Sequence, residues 1–314
     1  MKNKKTCVVT GGAGFLGSTL VPELLKQGYR VHVIDNLCAG KRERVPEEAQ
    51  FHQVDIRHPL KLKETFRKIT GEDGPIFAVF HLAALPRVQF SIDHPAESLS
   101  VNLEGLHCVF DVCRFVSVRR VVYSASSSAY GMQDAPVLHE ELKPAPMSPY
   151  ALQKYYGEHW AHNCSLHYGL ETVSLRYFNI FGPNFDPKGA YPQAIGLFLD
   201  LKKQGKPLTV TGDGLQTRDC VYATDVARAN ILAAESDRVG KGEVINIGGG
   251  ISPTILSIAR MIGGPDYPIV HIPPRVEPRH TRASIAKAKE LLGWEPTVSL
   301  EEGINLLKKL HGVS

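Results

Sequence analysis

No pair of cysteines stands at metal or redox spacing. The six, Cys7, Cys38, Cys108, Cys113, Cys164 and Cys220, are scattered without a C-x-x-C, which argues against a zinc ribbon, a thioredoxin-type motif or a disulfide framework. Isolated thiols suit a reducing compartment. No H-E-x-x-H occurs among the 13 histidines, and the cluster His159, His162 and Cys164 lacks a matched further ligand, so no metal is expected. No apolar run is long enough to span a bilayer, and the N-terminal lysines precede too few apolar residues for a secretory signal. The cytoplasm is the expected location, with no membrane contact. Blocks of five or six like charges are missing and the net charge is +4, so nucleic acid is not an expected partner. Repeats and low-complexity tracts are also lacking. What remains, 314 residues that are 43% apolar and 22% charged, is an ordinary globular composition, enough for one large domain or two packed ones.

Strand and helix signals alternate through the first half. Strands are expected at 6–10, 30–36, 49–56, 76–84, 119–127 and 171–179, and helices at 18–28, 61–70, 97–116 and from Ser148-Pro149 to 168. That alternation predicts an α/β fold, a doubly wound parallel Rossmann sheet whose ligands bind at the carboxyl ends of its strands. Beyond about residue 180 Pro and Gly become dense and the helices shorten. A nucleotide domain over 1–178 and a smaller C-terminal α/β substrate lobe over 179–314 are expected, with a strand near 243–249 rejoining the first domain.

"VVTGGAGFLGSTLV" places Gly11, Gly14 and Gly17 between a strand and a helix. Glycines there let the backbone turn tightly and approach a pyrophosphate, whose charge meets the helix N-terminus. Asp35 closes the second strand roughly twenty residues on, where a carboxylate accepts hydrogen bonds from an adenosine ribose and repels a 2′-phosphate. NAD is therefore the expected cofactor, preferred over NADP, with Lys41 and Arg42 as the opposing cations. Asp55, expected to end the third strand, suits either an adenine contact or a strand-end cap.

"SPYALQK" sets Tyr150 and Lys154 four residues apart on one helix, with Cβ atoms about 5–6 Å from each other. A lysine ammonium favours an ionised phenol, although lowering a tyrosine from about 10 to about 7 takes roughly 4 kcal/mol. Alone, such a pair is most often a packed ring beside a solvated amine. Beside NAD it has a use: a tyrosinate takes a hydroxyl proton while the nicotinamide takes the geminal hydride. "SASSSAYG" offers hydroxyls at the same sheet edge.

Together with "DNLCAGK", "HLAA", "LRYFNIFGP", "GDGLQTRDCVYATDVA" and "INIGGG", these motifs resemble the extended short-chain dehydrogenase/reductase family, and within it the nucleotide-sugar 4-epimerases, notably those acting on UDP-N-acetylhexosamines. The resemblance runs over nearly the whole chain. It implies Tyr150, Lys154 and Ser126 as catalytic residues. It implies a cofactor site that includes Phe15, Leu16, Asn36, Ile56, Leu82, Ala83, Ala84 and Tyr177 beside the glycines, Asp35 and Asp55. It further implies a UDP-sugar site with Ser126, Ser127, Ser128, Tyr150, Asn179, Val210, Arg218, Arg275 and Thr281, the arginines suiting a diphosphate. Thr281 falls where a bulky tyrosine accompanies unsubstituted hexoses and a small residue N-acetylated ones. A homodimer through the helices at 97–116 and 150–168 is implied too, and Leu103, Leu106, Val109, Phe110 and Val112 to Val116 supply more apolar surface than one core-facing stripe needs.

The implied reaction inverts C4 of a UDP-hexose through a transient 4-keto sugar, with UDP-GlcNAc/UDP-GalNAc and UDP-Glc/UDP-Gal as the expected pairs. Family dehydratases and decarboxylases carry acidic residues where Ser128 and Ala129 stand, so elimination chemistry is not expected. Alternatives on the same scaffold are a UDP-hexuronic acid 4-epimerase, using an arginine such as Arg87 or Arg279, a 4-ketosugar reductase and a non-catalytic dinucleotide sensor.

Overall fold

The computed structural model describes residues 4–184, 194–274 and 277–313. Arg275 and most of "NFDPKGAYPQ", both singled out from the sequence, lie outside the described residues. The first unit comprises β1 (Thr6–Thr10), α1 (Gly17–Lys26), β2 (Arg30–Asp35), β3 (Gln50–Gln53), α2 (Pro59–Asp73) and β4 (Ile76–His81). It continues through α3 (Val88–Asp93), α4 (Pro95–Leu99), α5 (Gly105–Phe115), β5 (Arg120–Ser126), α6 (Pro149–Tyr168) and β6 (Glu171–Tyr177). β7 (Asn179–Phe181), α7 (Ala194–Lys203), β8 (Leu208–Thr211), β9 (Cys220–Tyr222) and α8 (Ala223–Glu235) follow. The described chain closes with β10 (Lys241–Ile247), α9 (Ile255–Gly263), β11 (Ile269–Ile272), α10 (Ala286–Leu292) and α11 (Leu300–His311).

Seven strands form one sheet in the order β10-β6-β5-β4-β1-β2-β3, parallel throughout. This is the doubly wound sheet expected from the alternation, and the strand returning from the C-terminal half is its edge, β10. The chain leaves β1 for β2 and β3, then crosses back to β4 on the other side of β1, so a crevice opens between the ends of β1 and β4. One face of the sheet buries α1, α8 and α10 through Leu20, Leu24, Val226 and Leu292. The other buries α2, α5 and α6 through Phe66, Phe110, Ala161 and Cys164. A separate core of Phe198, Leu199, Val210, Ile258 and Ile304 holds α7, α9 and α11 with the small parallel pairs β8–β11 and β7–β9.

Among the boundaries that differ from the periodicity, three bear on the site. β3 stops at Gln53, so Asp55 stands beyond the strand, where Arg57 binds it. β4 stops at His81, because Leu82 and Ala83 bend over the end of β1 and donate to the Thr10 carbonyl and hydroxyl. The helix predicted over 97–116 begins at Pro95 and widens into one π turn at Ser100–Glu104. That turn brings the Asn102 side chain onto the Leu85 backbone and Gln153. The apolar stripe on α5 is spent on the protein's own sheet: Leu106, Val109, Phe110, Val112 and Cys113 are buried. On these two helices the exposed large apolar side chains are Phe115, which ends α5, and Leu152, Tyr156, Leu166 and Tyr168 on α6.

Candidate active site

One cleft runs across the carboxyl ends of the strands. It is lined by Gly11, Gly14, Phe15, Leu16 and Gly17 after β1, Asp35 and Asn36 after β2, and Asp55 and Ile56 after β3. Leu82, Ala83 and Ala84 after β4, Ser126 to Ser128 after β5, and Tyr150, Lys154, Tyr177, Asn179, Arg218 and Thr281 complete it. Val210 departs from the expectation: it is fully buried in the core of the smaller lobe and does not line the cleft.

The dinucleotide end is built for close backbone approach. Gly11 has φ +72, and a Cβ there would sit 2.7 Å from the Ala83 nitrogen, in the loop after β4. A Cβ on Gly17 would lie 2.5 Å from the Gly12 Cα, so the turn closes onto itself only with glycine. α1 starts without a side-chain cap and without an acidic residue in its first turn, so its positive dipole end is open to an anion. Asp35 accepts from Ala13 N at 3.0 Å through one oxygen and from Leu37 N at 2.8 Å through the other. Each carboxylate oxygen keeps a lone pair for a ribose hydroxyl. Asn36 donates to Asp55, whose carboxyl Arg57 holds far below its usual range with a bidentate grip. These residues fit a dinucleotide.

The fixed Asp35 charge carries a prediction about cofactor choice. Of the two opposing cations, Arg42 is engaged with the Val45 carbonyl and the face of Phe51. NAD is expected to bind at least about fivefold more tightly than NADP, one unpaired charge costing about 1 kcal/mol or more. Equal affinities in a calorimetric titration would show that a basic residue outweighs Asp35.

At the other end stands the Tyr–Lys pair. Ser148 caps α6 by accepting from Ala151 N at 3.1 Å, and Pro149 fills the first turn, as Ser-Pro predicts. The helix start is pinned again where Tyr150 N donates to Ser91 Oγ at 3.1 Å. Lys154 Nζ donates to the Ser124 carbonyl at 2.7 Å and lies 5.1 Å from the centre of the Tyr123 ring. Ser126 and Ser128 share a 2.8 Å hydroxyl contact. Tyr177 donates to Asn230 and accepts from Ser124.

Burial opposes both charges of the pair. It pushes the Tyr150 phenol up to about 12, with a hydrogen bond to Ser126 pulling the other way. It pushes the Lys154 ammonium down to about 7, with the Glu158 charge opposing. At Tyr150 desolvation thus outweighs the hydrogen bond that favours the phenolate.

On the cleft wall formed by the smaller lobe, Asn179 donates to the Asp219 carbonyl through its backbone and its side chain. Arg218 reaches the cleft but gives one terminal nitrogen to Glu277 at 2.9 Å and the other to the Thr217 and Pro278 carbonyls. Thr281 Oγ1 accepts from Asp219 N at 3.2 Å. Sequence reasoning misses Asp219, Arg57 and Ser91. Asp219 adjoins Arg218, yet no spacing rule shows that it serves distant backbone amides. Among the described residues no three His, Cys, Asp or Glu side chains come together as a metal site.

A parallel sheet with a glycine cradle at its switch point and a Tyr-x-x-x-Lys helix facing the same cleft defines a dinucleotide-dependent enzyme of the short-chain dehydrogenase/reductase type. The model of the NAD dependent epimerase/dehydratase family matches residues 7–248, and the chain belongs to that family. It is 35% identical over 302 residues to a putative UDP-glucose 4-epimerase of Methanocaldococcus jannaschii, covering 95% of both chains. The fold is similar to that of a UDP-glucose 4-epimerase of Thermotoga maritima solved with UDP-glucose, with a TM-score of 0.90, 36% identity and 96% of each chain covered. It is also similar to that of a Thermus thermophilus UDP-glucose 4-epimerase in complex with NAD, with a TM-score of 0.88, 34% identity and coverage of 98% and 99%.

Proposed function

We propose that this protein is an NAD-dependent UDP-hexose 4-epimerase. One observation carries the reading: Tyr150, Lys154 and Ser126 face the same cleft as the glycine cradle of Gly11 to Gly17. Bound NAD supplies the acceptor for the hydrogen at C4 and returns it. Tyr150 takes the proton of the C4 hydroxyl, and Ser126, with Ser127 and Ser128 beside it, holds that oxygen by a hydrogen bond. Lys154 holds the nicotinamide ribose and favours the ionised phenol. Asn179 and Arg218, with Arg275 as a second cation, take the diphosphate, so Arg218 exchanges its Glu277 contact for the ligand. Anchored there, the 4-keto ring turns over and receives the hydrogen on its other face. Tyr150 returns the proton, and no net redox change results.

The test is incubation of the pure protein with a panel of UDP-hexoses, reading the C4 configuration by NMR. Inversion of at least one pair is expected, whereas oxidised or reduced product, or no turnover with tight NAD binding, would remove the reading. The small Thr281 side chain in the cleft wall supports UDP-GlcNAc/UDP-GalNAc as a pair at least as good as UDP-Glc/UDP-Gal. Thr281→Tyr is expected to slow the N-acetylated pair about tenfold or more, since overpacking costs about 1–3 kcal/mol, and to spare the unsubstituted pair. Equal slowing of both would show that position 281 is not the gatekeeper.

A second reading, a hexuronic acid pair, is favoured by Arg87. It lines the cleft half-buried and has no ion-pair partner among the described residues, whereas Arg279 is paired with Asp213. Turnover of UDP-hexuronic acids alone would establish it. The exposed Phe115, Leu152, Tyr156, Leu166 and Tyr168 support a homodimer through α5 and α6. The six free cysteines suit a reducing compartment, and we place the protein in the cytoplasm.

A further inference from the structure

We infer that Glu158, held in place by Arg176, is a positioning residue for the reaction: it is the buried counter-charge that keeps Lys154 protonated and aimed at the cleft. The inference rests on the reading of Lys154 as the lysine of a C4 epimerase.

Glu158 follows Lys154 by one helical turn on α6, the spacing that places two side chains on one face with Cβ atoms about 5–6 Å apart. Both are buried, Lys154 5% and Glu158 2% exposed. A buried ammonium is costly unless a charge of opposite sign stands near it. The Ser124 carbonyl and the Tyr123 ring provide dipoles only. The ionisable groups facing this interior are Tyr150 and Glu158 on α6, Tyr123 on β5, His81 on β4 and Arg176 on β6, whereas Tyr177 turns to the other face of the sheet, toward Asn230 on α8. All are buried. Burial keeps His81 neutral, its pKa lowered to about 3, and holds the phenols of Tyr123 and Tyr150 protonated. Glu158 is the one carboxylate in that set.

A lone carboxylate at this depth would itself take up a proton. Arg176 opposes that by forking onto Glu158, Nε to one oxygen and Nη2 to the other, both at 2.7 Å. Arg176 is fixed in turn. Its guanidinium lies 4.6 Å from the centre of the Tyr130 ring, and Tyr130 donates to Asn246 at 2.8 Å. The three charges alternate, Lys154 positive, Glu158 negative and Arg176 positive. One net positive charge is left to face the phenol of Tyr150. As a purely stabilising device such a buried pair is poor, because desolvation consumes most of its attraction. Next to the reactive lysine it has a chemical use.

The experiment replaces Glu158 without changing its size. In Glu158→Gln the lysine loses the charge that raises its pKa. Activity needs Lys154 protonated, so the alkaline limb of the kcat profile should move to lower pH by about one pH unit or more. KM for the UDP-sugar should change less than twofold. Glu158→Asp keeps the charge and should restore most of the limb's position. A readout independent of turnover is the 13Cε signal of Lys154 in lysine-labelled protein, assigned by its loss in Lys154→Met, which should titrate at lower pH in Glu158→Gln. If the unpaired Arg176 unfolds that variant, Glu158→Gln/Arg176→Met removes the stranded charge, and its profile should stay shifted although stability returns. Profiles and titrations matching the wild type, with rate losses that follow melting temperature alone, overturn the inference. A wild type that inverts no UDP-hexose removes the epimerase reading instead and leaves the Lys154 titration to decide the role of Glu158.

Discussion

Tyr150→Phe is expected to lower kcat by about 10²- to 10⁴-fold, the range that a positioned acid–base group contributes. The substitution removes one oxygen and leaves the ring, which is 9% exposed and packed at the start of α6, so the cleft should keep its shape. The anchor of Tyr150 N on Ser91 Oγ is a backbone contact and survives. Affinities for NAD and UDP should therefore stay within about twofold, and the loss should fall on kcat alone, as for an interaction made in the transition state. Ser126 and Ser128 cannot replace the phenol, because their hydroxyls are bonded to each other and a serine is a far weaker acid. Isothermal titration with NAD and UDP, beside NMR-detected turnover, checks both halves. A variant retaining more than a tenth of the wild-type rate would falsify the assignment of Tyr150 as the proton acceptor.

Much of this site is legible along the chain because its parts obey local rules. The glycine turn is written between a strand and a helix, Asp35 closes the next strand, and Tyr150 and Lys154 share one helix face. Each statement needs only a periodicity and a spacing. The sheet is legible for the same reason, since most of its strands are short apolar runs alternating with helices or returning from the second half, the exposed edge strand β3 being the exception.

What is not legible depends on partners far away in sequence. Asp55, beyond the end of β3, meets Asn36 from the end of the neighbouring strand as well as its local partner Arg57, and the π turn at Ser100–Glu104 meets Leu85 and Gln153 across the fold. Alternation cannot register either contact. The expectation for Val210 rests on resemblance and misses its two-sided burial beneath Gly214 and α9. Glu158 offers a local clue, its spacing from Lys154, but the clue gains meaning only when Arg176 arrives from β6. The balance of burial against charge at Tyr150 is likewise a property of the folded interior.

Asp219→Ala is the second large expected effect, and it falls where the smaller lobe meets the sheet. The carboxylate of Asp219 is fully buried and accepts from Gly249 N, Gly250 N at 3.0 Å and Ala283 N at 2.9 Å. Its backbone holds Asn179 on one side and Thr281 on the other. A single side chain thus ties the end of β10 to the segment that carries the Thr281 wall. Truncation leaves three buried N–H groups without an acceptor, each costing about 1–3 kcal/mol. The total should reach about 3 kcal/mol or more, a large share of a typical 5–15 kcal/mol of stability. Asp219→Asn keeps an accepting oxygen but turns an NH₂ group toward donors, and should fall between. Burial raises the Asp219 pKa to about 6, whereas an unfolded aspartate titrates near 4. The folded state thus keeps its proton to higher pH than the unfolded one, and this group's contribution to stability declines as pH rises from about 4 to about 6. Thermal unfolding across that window should show the decline in the wild type and its loss in Asp219→Ala. Calorimetry should show weakened UDP binding with NAD binding retained, and an Asp219→Ala protein with unchanged melting temperature and UDP affinity would mean that the three amides find other acceptors.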